Sequence, residues 1–140
     1  MIFNEYVIEK FKQGLIGEDI FRNFLSKRGI KFMQLDILWE YQEKWYVGEI
    51  KAQEKFIKGS GFPFDGHGLP PYQMKKRIEF GKAKDIIPVF IVYDINDKCI
   101  YWQFFEYLNS LPDDKKKLTK TKKRIIFDIT CFNKILNLSI

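Results

Sequence analysis

Two runs rich in β-branched and aromatic residues, Ile30 to Trp39 and Lys44 to Gln53, are separated only by a short polar stretch around Gln42 and Glu43. No other feature constrains the fold as tightly, because two such runs this close together pair as an antiparallel hairpin. The connecting residues lack Asn-Gly, which leaves the turn type open. A turn centred between Gln42 and Glu43 puts Asp36 opposite Glu49. Like charges about 4.5–5.5 Å apart on one sheet face are destabilising unless something, such as a divalent cation, offsets them. Glu49 and Lys51 are two residues apart and project from the same face, while Ile50 and Ala52 turn to the other.

The rest of the chain reads as a mixture of helix and strand. Apolar residues between Glu5 and Arg28 recur at helical spacing in two pieces, interrupted near Gly14 and Gly17. The stretch from Lys58 to Pro71 is so rich in glycine and proline that it reads as a long loop without regular structure. Pro71 suits the first position of a helix running to about Lys84. Ile87 to Tyr93 and Cys99 to Phe104 read as strands, with Pro88 weakening the start of the first, and Phe105 to Leu111 as a short helix. Asp113 to Arg124 is a charged run of low complexity, followed by a strand at Ile125 to Ile129 and a C-terminal helix. The expected class is α+β, a single domain over residues 1–140 with a mixed central sheet flanked by helices.

Composition narrows the function classes. No apolar run reaches the roughly 18 residues needed to span a bilayer, and the N-terminus does not read as a signal peptide. Cys99 and Cys131 have no CxxC or Cys/His spacing, so a zinc site or thiol catalyst is not expected and a reducing cytoplasm is. The net charge of +6 is carried by clusters at Lys75-Lys76-Arg77 and Lys115 to Arg124, which suits a polyanionic partner. Trp39, Trp45 and Trp102 are assigned to the core or a subunit interface.

Oxygen ligands from Asp36 and Glu49, with the backbone carbonyl of Ile50, suit Mg2+ or Mn2+. Lys51 beside them could orient a water or stabilise charge on a phosphate. The same residues also suit a solvated sheet face with a routine ion pair. Their order, however, Gly17-Glu18 on a helix, Asp36 in a strand, Glu49-Ile50-Lys51 after a hairpin and Tyr72-Gln73 at the next helix start, resembles the PD-(D/E)xK nuclease core. The phrase from Gly48 to Lys51 through Phe62-Pro63-Phe64, His67 and Gln73 to Pro88-Val89-Phe90-Ile91-Val92 is similar to Holliday-junction resolvases of the bacterial recombination-protein-U type. Archaeal resolvases share the skeleton. Leu35 stands where the family motif has proline.

The resemblance implies a metal-dependent endodeoxyribonuclease acting on branched DNA as a homodimer. Asp36 and Glu49 would be metal ligands, Lys51 the catalytic lysine, Glu18 an acid acting directly or through water, and Gln73 a brace from the next helix. Lys75, Lys76 and Arg77 would then lie near DNA phosphates, or else on a solvated helix face, and Phe62, Phe64 and Tyr72 would either stack against distorted bases or pack in the core. His67, the single histidine, suits a metal ligand or proton shuttle near DNA, or else a tight turn between Gly66 and Gly68 that needs positive φ. The alternatives are an endonuclease of restriction or phage type on linear duplex, a DNA-binding module without chemistry, and an interaction protein with a basic surface.

Overall fold

The computed structural model describes residues 27, 37–59, 61–121 and 123–135. Apart from Lys27, the two helical pieces expected between Glu5 and Arg28 fall outside the described residues, as do Glu18 and Asp36.

The described part of the hairpin forms as expected, with residues 30–36 of its first run lying outside the described residues. Strand β1 (Ile37–Tyr41) runs antiparallel to β2 (Lys44–Gln53), with Ile37 opposite Gly48 and Tyr41 opposite Lys44. Gln42 and Glu43 both take positive φ, 50° and 67°, which is the two-residue mirror-image turn that matches the twist of the flanking strands. β2 then pairs in parallel with β4 (Ile87–Asp94), which pairs antiparallel with β5 (Cys99–Phe104), and β5 with β8 (Asn133–Ile135). The result is a mixed five-stranded sheet in the order β1-β2-β4-β5-β8. Because β2 and β4 are parallel, the chain must cross over between them. Helix α1 (Pro71–Lys84) makes the return, with Pro71 at its first position and Asp85 closing it in the left-handed conformation.

Strand β4 is apolar along most of its length because both of its faces are covered. Val89 and Ile91 join Tyr46, Ile50, Ile100 and Trp102 on one side of the sheet. Phe90 and Val92 join Met74 of α1, Leu69, Phe127 and the short helix α2 (Phe105–Asn109) on the other. Trp39 and Trp102 belong to the first cluster, but Trp45 is about half exposed and is not a core residue. Among the described residues the fold is α+β, with no barrel.

Three sequence expectations fail, each because a distant segment supplies a partner. The Lys58–Pro71 stretch contains a strand, β3 (Gly66–Leu69), paired antiparallel with β7 (Ile125–Asp128). Gly66 and Gly68 are there for closeness rather than for positive φ. A Cβ on Gly66 would sit 2.1 Å from the Phe127 carbonyl oxygen, and one on Gly68 2.0 Å from that of Ile125. The charged run at Asp113 to Arg124 is likewise structured, as a 3-10 turn (Asp113–Lys115) and strand β6 (Lys116–Leu118) on the other side of β7. Where the C-terminal helix is expected to begin, the chain forms a 3-10 turn (Ile129–Cys131) and β8, an edge strand against β5, and residues 136–140 lie outside the described residues.

Gly68→Ala is therefore expected to force β3 and β7 apart and destabilise the protein by about 1–3 kcal/mol, the usual cost of overpacking a filled core. A urea midpoint equal to that of the wild type would mean that the two strands yield freely.

Candidate active site

The alternation of β2 settles which side chains share a face. Val47, Glu49, Lys51 and Gln53 point towards α1, while Tyr46, Gly48, Ile50 and Ala52 point to the opposite side. In the parallel register Glu49 lies beside Phe90, Lys51 beside Val92 and Gln53 beside Asp94. Glu49 is thus a carboxylate on an inner strand with apolar neighbours, only 1% exposed.

Two cations flank it. Lys51 Nζ is 3.7 Å from Glu49 Oε1, and Arg77 Nε donates to Oε2 at 3.3 Å. Arg77 had been expected at the DNA surface beside Lys75 and Lys76. Only those two are exposed, since Arg77 is on the inward flank of the helix. Gln73 is one turn before Arg77 on the same flank. Its Nε2 reaches the Tyr72 hydroxyl at 3.3 Å, while its Oε1 is buried without a hydrogen-bond partner among the described residues. Burial of an unpaired oxygen costs about 1–3 kcal/mol, so this atom is one that a bound group would satisfy.

The structure thus brings together Glu49, Lys51, Gln73 and Arg77. Among the described residues no three His, Cys, Asp or Glu side chains converge on a common point. Ile50, whose carbonyl was the further expected ligand, buries its side chain in the core on the other face of the sheet.

Phe64 is buried, which matches core packing rather than a DNA contact, and His67 is likewise closed off from a DNA surface. Phe62 is half-buried edge-on to Phe56, and Tyr72, at 65% exposure, is the one aromatic of that group open to solvent. His67 instead joins the two sheets. Its Nδ1 lies 2.9 Å from Gln53 Oε1, and its Nε2 lies 2.7 Å from Asp94 Oδ2. Gln53 is itself oriented by Gly68, whose N–H donates to Oε1 and whose carbonyl accepts from Nε2, both at 3.0 Å. With Oε1 so placed, Nδ1 must carry a proton and donate it. The short Nε2 contact with a carboxylate then calls for a second proton. Burial opposes that proton by pulling the imidazole below its ordinary pKa, and the Asp94 hydrogen bond offsets part of the pull, so the pair titrates as a unit.

Asp94 is the hub of this second cluster. Lys55 Nζ approaches Oδ2 at 3.1 Å and the Asp97 N–H donates to Oδ1 at 2.7 Å, while Lys55 also pairs with Asp97 and the Tyr101 hydroxyl donates to Asp97 at 2.8 Å. None of Gln53, Lys55, Asp94, Asp97 and Tyr101 was singled out from the sequence. The i, i+2 spacing of Glu49, Lys51 and Gln53 was the one available signal, and it reached only Gln53.

No family model matches the chain, and neither a curated protein nor a solved structure does. No helix among the described residues is long and apolar enough to cross a membrane. Cys99 and Cys131 are unbridged, and burial pushes both thiols above their ordinary pKa, so neither is poised as a nucleophile.

The Asp94 cluster has a pH signature. Burial favours the neutral acid, but the hydrogen bonds from the Asp97 N–H, His67 and Lys55 outweigh it and hold the carboxyl below its usual range. A carboxylate with a depressed folded-state pKa stabilises the fold above its unfolded value, near 3.9, and that stability is lost as pH falls through the folded value. Urea midpoints should drop on acidification below about pH 4. The drop should be shallower for Asp94→Asn, which starts from a lower midpoint at pH 7. Parallel curves for the two proteins would remove Asp94 as the source.

Proposed function

We propose that this chain is a metal-dependent endodeoxyribonuclease of the PD-(D/E)xK kind, with branched DNA as its first substrate and a homodimer as its working form. The supporting observation is Glu49, a carboxylate withdrawn from solvent on an inner strand, with Lys51 two residues on and an unsatisfied Gln73 oxygen on the facing helix. A carboxylate and an amide oxygen are hard donors, and they fit Mg2+ or Mn2+ better than zinc. In this reading Glu49 holds the ion together with Asp36, the Ile50 carbonyl and Glu18, and Gln73 braces the ion or its water. A bound divalent ion would supply electrophilic stabilisation of the scissile phosphate and acidify a coordinated water.

The chain's own residues account for the remainder. The Lys51 ammonium, held on the Glu49 face of the sheet, orients the attacking water and stabilises charge developing on phosphorus. Arg77, paired with Glu49, can exchange a carboxylate for a phosphate oxygen, since a guanidinium suits both. Lys75 and Lys76 face solvent on the same helix and would contact the strand on either side of the cut.

The Arg77 contact also favours one rival. A carboxylate already flanked by two cations is what a DNA-binding module without chemistry would retain. Labelled four-way junction and matched linear duplex, incubated with Mg2+, Mn2+ or chelator, separate the readings. Symmetric, metal-dependent junction cuts support the resolvase assignment. Equal cutting of linear duplex points to a general endonuclease, and binding without cutting under every metal condition sinks the enzymatic reading.

A further inference from the structure

One stretch of this protein accounts for its whole net positive charge. Seven of its 24 basic residues lie in 115–124, a stretch with no acidic residue, so the remainder of the chain carries −1 of the net +6. Strand β6 and the connection to β7 lie in that stretch, Lys122 falling outside the described residues. Its turn is pinned, with the Thr119 N–H donating to the Arg124 carbonyl at 2.9 Å and the Arg124 N–H donating to Thr119 Oγ1 at 3.3 Å. At the base, Lys115 pairs with Asp128 and Lys116 donates to the Asn109 carbonyl. Lys117, Lys120, Lys123 and Arg124 are exposed, and among the described residues none of them pairs with a carboxylate. A backbone held by these hydrogen bonds and bearing exposed charge is a different object from a solvated flexible run, because the fold has already ordered the chain that carries the charges.

The register places this tip. Leu69, the last residue of β3, and Leu118, the last of β6, flank Ile125 at the start of β7. The connection between β6 and β7 therefore leaves the sheet at the end where β3 passes through Pro70 into α1. The first turns of α1 carry the exposed Tyr72, Lys75 and Lys76, and its inward flank carries Gln73 and Arg77. From this juxtaposition we infer that the β6–β7 hairpin is an arm that grips the phosphate backbone of duplex nucleic acid and delivers it to the helix face over Glu49. The inference rests on reading the chain as a DNA-acting protein, but it concerns binding, which can be measured without catalysis.

The test is anisotropy of a labelled duplex in EDTA across a potassium chloride series. It compares the wild type with the combined Lys117→Gln, Lys120→Gln, Lys123→Gln and Arg124→Gln variant. A control of similar charge change, Lys82→Gln, Lys84→Gln and Lys98→Gln, alters basic residues on the far end of α1 and on the β4–β5 turn. Circular dichroism melting checks that each protein is folded. The arm predicts at least a tenfold loss of affinity for the hairpin variant and a salt slope shallower by about 3 to 4, one phosphate contact per charge, with less than a twofold loss for the control. Equal losses in both variants would reduce the effect to net charge and overturn the inference. So would wild-type affinity in the hairpin variant, or a wild type that binds phosphatidylserine vesicles but not duplex. A wild type that binds through the hairpin yet cuts no DNA with any metal would instead reject the nuclease reading and leave the arm standing.

Discussion

Glu49→Gln is expected to abolish metal-dependent cleavage, by about 1,000-fold or more, while leaving DNA binding and the fold largely intact. The substitution keeps the shape of a side chain packed beside Phe90 and removes only its charge. Loss of one key electrostatic group in an active site costs about 100- to 1,000-fold, and a metal ligand also holds the ion itself. Calorimetric titration with Mn2+ should show the loss directly. The fold should survive because Arg77 and Lys51, on losing the Glu49 charge, both retain access to water. If Glu49 were only the anion of a structural ion pair, the pattern would invert. Stability would fall by several kcal/mol, as when one partner of a buried pair is removed, and Mn2+ binding would not change.

His67→Ala carries the largest expected effect on stability, about 3–5 kcal/mol. Two costs add. The first is a cavity in a core where the ring is edge-on to Phe132 and near Tyr101. The second is the loss of a 2.7 Å partner to a fully buried carboxylate, which leaves Asp94 to Lys55 and the Asp97 N–H. His67 and Gly68 together tie β3 to the five-stranded sheet through Gln53, and β3 leads directly into α1. The variant should therefore lose positioning of Gln73 and Arg77 before it unfolds globally. Chemical denaturation provides the stability measurement, and a change below about 1 kcal/mol would mean that the clamp contributes little. Because the chain has one histidine, selective labelling of the imidazole reports its protonation through a single signal.

Much of the architecture was legible from local pattern. The hairpin came from two β-rich runs and a polar break, α1 from Pro71 and its following residues, and β4 and β5 from apolar runs of strand length. The shared face of Glu49 and Lys51 followed from the two-residue period alone, whereas Gln73 was singled out only by the family resemblance. Pro88 does not weaken the start of β4, since it lies in parallel pairing opposite Val47 as the second residue of the strand. What local pattern misread was glycine. In a Gly-His-Gly segment, glycine as a turn former and glycine as a close-packing strand residue look alike until the neighbouring strand is known.

By itself the sequence determined the mixed α+β class, the strands β1, β2, β4 and β5, the helix between them, and the face shared by Glu49 and Lys51. Each of these depends on residues near one another in the chain. Only the tertiary structure decided that the loop before α1 holds a strand, that the charged run is a hairpin, that Arg77 turns inward to Glu49, and that His67 is sealed between Gln53 and Asp94. Those outcomes depend on pairings between distant segments, where burial and hydrogen bonding override local propensity.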